Sequence, residues 1–143
     1  MNPNEILTRT LHAEAAGCAL RGVEALAALI LRRARMALQC DVARTRFAHG
    51  ASTQGEAAMV AAVCRAPFQF ACWRPGGAAW ETLAESETLA MCRRVATRAL
   101  SGGLPNLAPG ATHWHSLQSL PGWAVGRMPV AETGGLALYS LAA

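Results

Sequence analysis

The stretch Asn4-Glu5-Ile6-Leu7-Thr8-Arg9-Thr10-Leu11-His12-Ala13-Glu14-Ala15-Ala16-Gly17 carries a helical pattern that ends in a misplaced charge. Leu7, Leu11 and Glu14 are spaced at i, i+4 and i+7, so at helical pitch they share the face that should meet the core. A carboxyl group on such a face loses hydration, which raises its pKa. A carboxyl that stays protonated near neutral pH can serve as a general acid. The alternative is an ordinary glutamate at the rim of an apolar stripe, or one paired with arginine.

Length and composition indicate one folded domain. With 143 residues the chain is long enough for one core and too short for two, so we expect a single domain over residues 1–143. Apolar residues make up 52% and charged residues 15%, which excludes a disordered chain. No apolar stretch reaches the roughly 18 residues of a membrane span, and the run 25–31 stops at Arg32. The first residues show no secretory signal pattern.

The charge of the chain comes from arginine. Thirteen arginines and no lysine give a net charge of +4. This balance indicates either a solvated, arginine-rich surface or a polyanionic partner, such as nucleic acid or an anionic cell-wall polymer. Charge by itself does not choose between them.

The cysteines predict neither a zinc ribbon nor a disulfide scaffold. They are five in number, with no C-x-x-C pair and no signal sequence before them. We expect most of them to be small buried thiols. Cys64 and Cys72 bracket a loop that contains proline, and the sequence leaves open whether they form a bond.

Apolar periodicity and turn residues divide the chain into four helices followed by two strands. A capping box, Asn2-Pro3-Asn4-Glu5, opens the first helix, and Gly17 stops it. The second helix, from Arg21 to Leu38, is apolar over most of its circumference, which is typical of a central helix. The other expected elements are a loop over 41–52, a capping box at 53–56 that opens a helix ending before Pro67, a helix over 80–100, and strands over 111–116 and 136–141. Helices first and a small sheet later indicate an α+β fold.

The inventory of carboxylates favours a mechanism with a single acid. Among one aspartate and eight glutamates, only Glu14 lies on a core-facing stripe near the end of a helix. Glu24 has apolar neighbours and is a candidate for a buried partner. A glycosidase with two carboxylates needs a second acid within roughly 5 to 9.5 Å, and the sequence offers no obvious one.

The triplet His113-Trp114-His115 predicts a strand with two imidazoles on one face and an indole on the other. Three interpretations are open: a ledge that binds substrate, half of a zinc site, or simple packing. No H-E-x-x-H or comparable pattern supplies a third ligand, so we expect no metal site. Trp73 and Trp114 flank loops, and indole faces suit sugar rings as well as cores.

Three blocks of the chain, in order and with approximate spacing, resemble one known family. The first is 7–17 with Gly22 and Leu31-Arg32-Arg33 behind it, and it is similar to the family's Glu-Ala-x-Gly block and following helix. The second, Phe68-Gln69-Phe70-Ala71-Cys72-Trp73, is similar to a Gln-Phe-Ser-rich stretch. The third is Gly110-Ala111-Thr112-His113-Trp114-His115 with Pro121, Trp123 and Tyr139 behind it, similar to a Gly-Ala-Thr-His-Tyr-His segment. The family is that of the SleB-like cell-wall hydrolases, which includes the spore-cortex-lytic enzymes.

The resemblance implies a lysozyme-like, mainly helical α+β domain that cleaves the glycan of peptidoglycan, with no cofactor. The catalytic acid of the first block carries over to Glu14. The expected reaction is that of a lytic transglycosylase, which cuts between N-acetylmuramic acid and N-acetylglucosamine and leaves 1,6-anhydromuramoyl ends. The second and third blocks supply the residues expected to bind substrate: Gln69, Phe70, Trp73, His113, Trp114 and His115.

The chain departs from the family pattern at four positions. Cys18 stands where many members have a second glutamate, and Arg32 where an asparagine precedes arginine. His12 replaces a tyrosine, and Trp114 replaces the middle tyrosine of the third block while keeping an aromatic face.

Other functions remain open from the sequence. A hydrolase on the same fold would use water in place of the muramoyl 6-hydroxyl, and a protein of the same fold could bind the wall without cleaving it. A basic nucleic-acid-binding domain is suggested by the arginines alone, and without a recognisable motif we expect no nucleic acid partner. The expected partner is peptidoglycan. The expected place of action is the bacterial envelope, reached after removal of a signal or through another protein such as a holin or a phage-like particle.

Overall fold

The computed structural model describes residues 1–141, and over this range the chain forms five α-helices and one three-stranded antiparallel sheet. The helices are α1 (Pro3–Ala15), α2 (Leu20–Gln39), α3 (Asp41–Ala48), α4 (Glu56–Arg65) and α5 (Glu87–Leu100). The strands are β1 (His113–Ser116), β2 (Ala131–Thr133) and β3 (Leu136–Tyr139). Single 3₁₀ turns lie at Ala71–Trp73, Ala78–Trp80 and Gly122–Ala124. The α+β class expected from the sequence is confirmed.

The first two helices lie where the sequence predicts them. Asn2 caps α1, since its side chain accepts a hydrogen bond from the N–H of Glu5 at 2.8 Å. Helix α2 packs against the other four helices. Its apolar residues are buried over most of its circumference, so the prediction of a central helix is confirmed.

The expected loop over 41–52 is wrong, because its first eight residues form helix α3. Cys40 is extended and ends α2, and Asp41 then places an acidic side chain in the first turn of the new helix, where it favours the dipole. Ala43 and Phe47, four residues apart, are buried. One turn of apolar spacing was too short a signal to reveal this helix.

Two helix starts also differ from the prediction. Helix α5 begins at Glu87 and not at Trp80, because the hydroxyl of Ser86 accepts from the N–H of Leu89 at 3.0 Å and caps the helix there. The expected capping box at 53–56 does not form. Gly55, at φ +88°, precedes α4, and the carboxylate of Glu56 pairs with Arg35 at 3.0 Å.

The sheet has the order β1-β3-β2, so β1 is an edge strand. His113 pairs with Tyr139 and Ser116 with Leu136. The short strand β2, which the sequence analysis missed, pairs with β3 through a turn at Gly134-Gly135, where both residues have positive φ.

The two faces of the sheet have different neighbours. The inner face carries Leu136 and Leu138 into the helical core, with Trp114 packed against that core. The outer face carries His113, His115 and Tyr139. This alternation confirms the prediction that the two histidines share one face and Trp114 takes the other.

All five cysteines are free thiols, so Cys64 and Cys72 are not bonded to each other. Cys64, Cys72 and Cys92 are buried, whereas Cys18 is half-buried and Cys40 is exposed. Within residues 1–141, no helix combines the length and the apolar character that crossing a membrane requires.

Candidate active site

Glu14 lies in the last full turn of α1 and is half-buried. Burial raises the pKa of its carboxyl above the ordinary value of 4.5. The thiol and the backbone N–H of Cys72 act in the opposite direction, because both favour the charged form, yet the effect of burial is larger. The sequence-based prediction that this carboxyl is partly desolvated, with a raised pKa, is confirmed. Its catalytic role remains a prediction.

Glu14 differs from the other side-chain carboxylates of the chain, all of which lie in the described residues. Five of the other eight form ion pairs with arginine: Glu5, Glu24, Asp41, Glu56 and Glu85. The remaining three are exposed: Glu81, Glu87 and Glu132. Glu14 is therefore the one carboxyl between 1 and 141 that is partly desolvated and has no arginine partner.

Glu24 is held at the interface of two helices. Its side chain is 2% exposed and pairs with Arg21 at 3.4 Å and with Arg98 of α5 at 3.1 Å. The expectation of a buried partner is confirmed. A carboxylate held between two guanidiniums inside the protein is poorly placed to activate water at a substrate.

The segment 66–73 packs along the second half of α1. The indole N–H of Trp73 donates to the hydroxyl of Thr10 at 2.9 Å, and Cys72 faces Glu14. Phe70 is 4% and Trp73 7% exposed, so each offers little more than an edge to solvent. These two side chains were predicted to bind substrate, but their burial gives them a mainly structural role. They hold Cys72 against the carboxyl of Glu14.

Gln69 is anchored at both ends of its amide. Its oxygen accepts from Arg33 at 3.2 Å, and its nitrogen donates to the carbonyl of Arg46 at 2.8 Å. This predicted site residue therefore ties the segment 66–73 to α2 and α3. Each end of the amide keeps one unused position for a ligand, since the oxygen has a second lone pair and the nitrogen a second N–H.

Arg33 is a buried cation that the sequence analysis did not single out. It is 6% exposed, its Nε donates to the carbonyl of Thr112 at 2.8 Å, and its guanidinium lies 4.8 Å from the ring centre of Phe47. Burial lowers its pKa to about 10, and the neighbouring charge of Arg46 acts in the same direction. No carboxylate of the described residues pairs with it. The only signal in the sequence was an arginine inside an apolar helix.

His113 lies at the start of β1 between two aromatic rings. The ring centres of Phe47 and Trp123 are 6.1 and 5.9 Å away. Burial and, to a smaller extent, the charges of Arg33, Arg46 and Arg127 together lower the pKa of His113 to about 4. The imidazole is therefore neutral at neutral pH. Its Nδ1 lies 2.8 Å from the hydroxyl of Thr112.

His115 lies two residues along the same face and is fixed by two hydrogen bonds. Its Nδ1 is 2.7 Å from the carbonyl oxygen of Ser116, and its Nε2 is 2.8 Å from the hydroxyl of Tyr139. A carbonyl only accepts, so in the neutral ring Nδ1 donates and Nε2 accepts from the tyrosine. Trp123 stands edge-to-face against both His115 and Tyr139. The outer face of the sheet is thus an aromatic ledge that includes Trp123 and Tyr139.

Two parts of the chain connect Arg33 with the surroundings of the C-terminal end of α1, which holds Glu14: the segment 69–72 and the sheet. The segment 69–72 begins at Gln69, bonded to Arg33, and reaches Cys72 at Glu14. The sheet begins beside Arg33 at Thr112 and ends at the Gly134-Gly135 turn. That turn packs against Gly22 and Cys18, close in sequence to Glu14. Arg33 therefore ties the start of the sheet and the segment 69–72 to the same point of α2.

Two of the departures from the family pattern have structural partners. The guanidinium of Arg32 donates to the carbonyl of Ala111 at 2.8 Å, just before β1. Cys18 lies beside the Gly134-Gly135 turn, with its sulfur 3.7 Å from where a Cβ of Gly135 would stand. Both residues position the sheet against the helices.

Over residues 1–141, no three side chains of His, Cys, Asp or Glu lie close enough together to hold a metal ion. A scan against protein-family models, a search of curated proteins and a search of solved structures each return no match to this chain.

Proposed function

We propose that the protein cleaves the glycan strands of peptidoglycan between N-acetylmuramic acid and N-acetylglucosamine, as a lytic transglycosylase. We also propose that its α+β fold is of the lysozyme-like type, with the catalytic acid at the end of the first helix and a small sheet beside it.

The observation that carries the proposal is the isolation of Glu14. In a chain where five other carboxylates are paired with arginine, this one is partly desolvated, has a raised pKa and faces only the weakly polar thiol and the N–H of Cys72. A carboxyl with a raised pKa keeps its proton to higher pH than an ordinary glutamate and is suited to donate it to a leaving group.

In the proposed reaction, Glu14 donates its proton to the glycosidic oxygen and the bond to the muramoyl C1 breaks. The carboxylate that results then accepts the proton of the muramoyl 6-hydroxyl, whose oxygen bonds to C1 and closes a 1,6-anhydro ring. Glu14 is left protonated for the next cycle. The nucleophile belongs to the substrate, so ring closure is intramolecular and competes well with bulk water.

We propose that Gln69 and the triplet 113–115 border the cleft in which the glycan lies. His113 is neutral and His115 is fixed by Tyr139, so both act as positioned hydrogen-bonding groups. Trp114 packs from the inner face and supports the strand. Peptidoglycan is then the partner, and delivery by a holin or a phage-like particle is part of the proposal for a protein that acts at the bacterial envelope.

The test is digestion of purified peptidoglycan followed by mass analysis of the released muropeptides. We expect 1,6-anhydromuramoyl ends. The variant Glu14→Gln should lose about a hundredfold to ten-thousandfold in rate, as is typical when a general acid is removed. Added EDTA should leave the rate unchanged.

Glu24→Gln is the matched control, since it also neutralises a buried glutamate. We expect it to lose stability, because it leaves the guanidiniums of Arg21 and Arg98 without their carboxylate, and to cleave peptidoglycan while folded. Undiminished cleavage by Glu14→Gln would show that Glu14 is not the acid. Products with reducing ends alone would favour a hydrolase. Binding to the wall without any cleavage by the wild type would favour a non-catalytic wall protein.

A further inference from the structure

An exposed aromatic side chain stands beside a cavity that the proposed chemistry does not use. Phe68 is 92% exposed, the highest value among the large exposed apolar side chains between 1 and 141. The cavity has a volume of about 310 Å³, and the edges of Phe70 and Trp73 contribute to its lining. A concave, partly apolar site with an aromatic rim is the usual form of a ligand subsite.

The backbone holds Phe68 in a conformation that aromatic residues seldom adopt. The N–H of Gln69 donates to the carbonyl of Ala66 at 3.3 Å and closes a turn with Pro67 second and Phe68 third. The φ of Phe68 is +68°, which is the geometry of a type II turn. Glycine or asparagine is normal at this position, and a bulky residue there is strained.

This strain brings no gain in packing within the chain, because the ring of Phe68 is almost entirely in solvent. Backbone strain that is not explained by packing clusters at binding and catalytic sites. The exposed ring and its strained turn therefore point to a ligand.

The same cavity is lined by two cations. Arg65 and Arg74 are both exposed, and neither forms an ion pair within the described residues. Unpaired guanidiniums beside an aromatic ring match a ligand that combines an apolar ring face with carboxylate groups. Peptidoglycan has both, in its sugar rings and in the peptide stems attached to them.

We propose that Phe68, Arg65 and Arg74 form a subsite that binds peptidoglycan away from the reacting bond. The ring of Phe68 lies against a sugar, and the guanidiniums bind stem-peptide carboxylates. The inference rests on the proposed function, which supplies the polymer. The segment 66–73 connects the two sites, since it carries Phe68 at one end and presents Cys72 to Glu14 near the other.

The experiment measures binding to insoluble, purified peptidoglycan by sedimentation, in the Glu14→Gln background so that the polymer is not cleaved. Phe68→Asn removes the ring and keeps a residue that tolerates positive φ. We expect the Kd to rise roughly tenfold, which corresponds to the loss of one central contact. Phe68→Tyr should keep the affinity of the parent, since it keeps an aromatic ring. Arg65→Gln together with Arg74→Gln should make the affinity for peptidoglycan depend less on salt concentration.

Met128→Asn is the matched control for exposed apolar surface, because Met128 is 87% exposed on another part of the chain. It should bind as the parent does. The thermal midpoint of Phe68→Asn should equal or exceed that of the parent, because the strain is relieved. Substitution of a subsite residue should thus weaken binding to peptidoglycan without lowering the thermal midpoint.

Parent-like binding by Phe68→Asn, or an equal loss in Met128→Asn, would overturn the subsite. If Phe68→Asn lowers the thermal midpoint, the double variant Arg65→Gln/Arg74→Gln becomes the test. Unchanged binding by that variant also overturns the subsite. A parent that does not sediment with peptidoglycan removes the subsite as well. Cleavage is measured separately in the Glu14-intact protein, so failure of the acid and failure of the subsite give different results.

Discussion

Glu14 and Cys72 show how the local environment sets the chemistry of one residue. Burial raises the pKa of Glu14, and the thiol of Cys72 partly offsets that rise. The carboxylate in turn raises the pKa of Cys72, which burial has already raised, to about 12. The thiol therefore stays protonated and remains a weak hydrogen-bond donor to the acid.

The pH dependence of cleavage should follow the pKa of Glu14. The reaction needs the protonated form, so activity should be full below that pKa and fall as the pH rises through it. Cys72→Ala removes a group that favours the charged form, so we expect the alkaline limb of kcat/KM to move to higher pH. Cys92→Ala, which removes another buried thiol, should leave the limb in place. A limb that is unmoved or lower in Cys72→Ala would contradict this tuning.

The raised pKa of Glu14 also implies that the stability of the protein depends on pH. The folded-state pKa of Glu14 is raised above 4.5, so its contribution to stability is complete below the unfolded pKa and is lost as the pH rises through the folded pKa. Glu14→Gln is neutral throughout. We expect its thermal midpoint to equal or exceed that of the wild type at pH 8, with the difference vanishing near pH 4. A variant that is less stable at pH 8 would show that the charged carboxylate stabilises the fold.

At the scale of elements, the contact between α2 and the β2–β3 turn positions the sheet. Gly22 lies inside the first turn of α2, where glycine is less favourable than alanine by about 1 kcal/mol. A Cβ at Gly22 would come within 2.5 Å of the carbonyl oxygen of Gly134. The close approach of two backbones therefore requires glycine here.

This contact predicts that substitution of Gly22 costs stability, whereas substitution of Gly17 does not. Gly22→Ala should lower the free energy of unfolding by about 1 to 3 kcal/mol, because the turn must move away from the helix. Gly17→Ala, whose Cβ would meet nothing within 4 Å, should have a small effect. Urea unfolding of the two variants is the measurement, and equal midpoints would show that the turn adapts without cost.

At the scale of the whole molecule, Arg33 joins parts of the chain that are far apart in sequence. From α2 it bonds to Thr112 before β1 and to Gln69 in the segment 66–73, and it lies over Phe47 of α3. The two segments that border the proposed cleft are thus held by one side chain.

Arg33→Met should be strongly destabilising, since it leaves a buried carbonyl and the amide oxygen of Gln69 without their donor. We expect a loss of about 2 to 5 kcal/mol in the free energy of unfolding. Arg35→Met, on the same helix, removes only an exposed pair with Glu56 and should cost less than about 1 kcal/mol. Chemical denaturation measures both, and similar losses would contradict the central role of Arg33.

The sequence by itself determined the elements whose signals are local. The cap at Asn2, the apolar face of α1, the all-round apolar character of α2 and the alternation in His113-Trp114-His115 all concern neighbours within a turn or a strand. The structure agrees with each of them, because such signals need no distant partner. Helix α3 and strand β2 were missed because they are short and owe their formation to packing on α2 and β3.

Only the tertiary structure decided the character of the candidate site. The pKa of Glu14 depends on burial and on Cys72, the pairing of Glu24 on Arg98, and the low pKa of His113 on burial and on arginines from three other segments. Phe68 became notable only through its exposure and its positive φ. Solvation and charge act through space, so residues distant in sequence set them, and no pattern within one segment of this chain records which partners folding brings together.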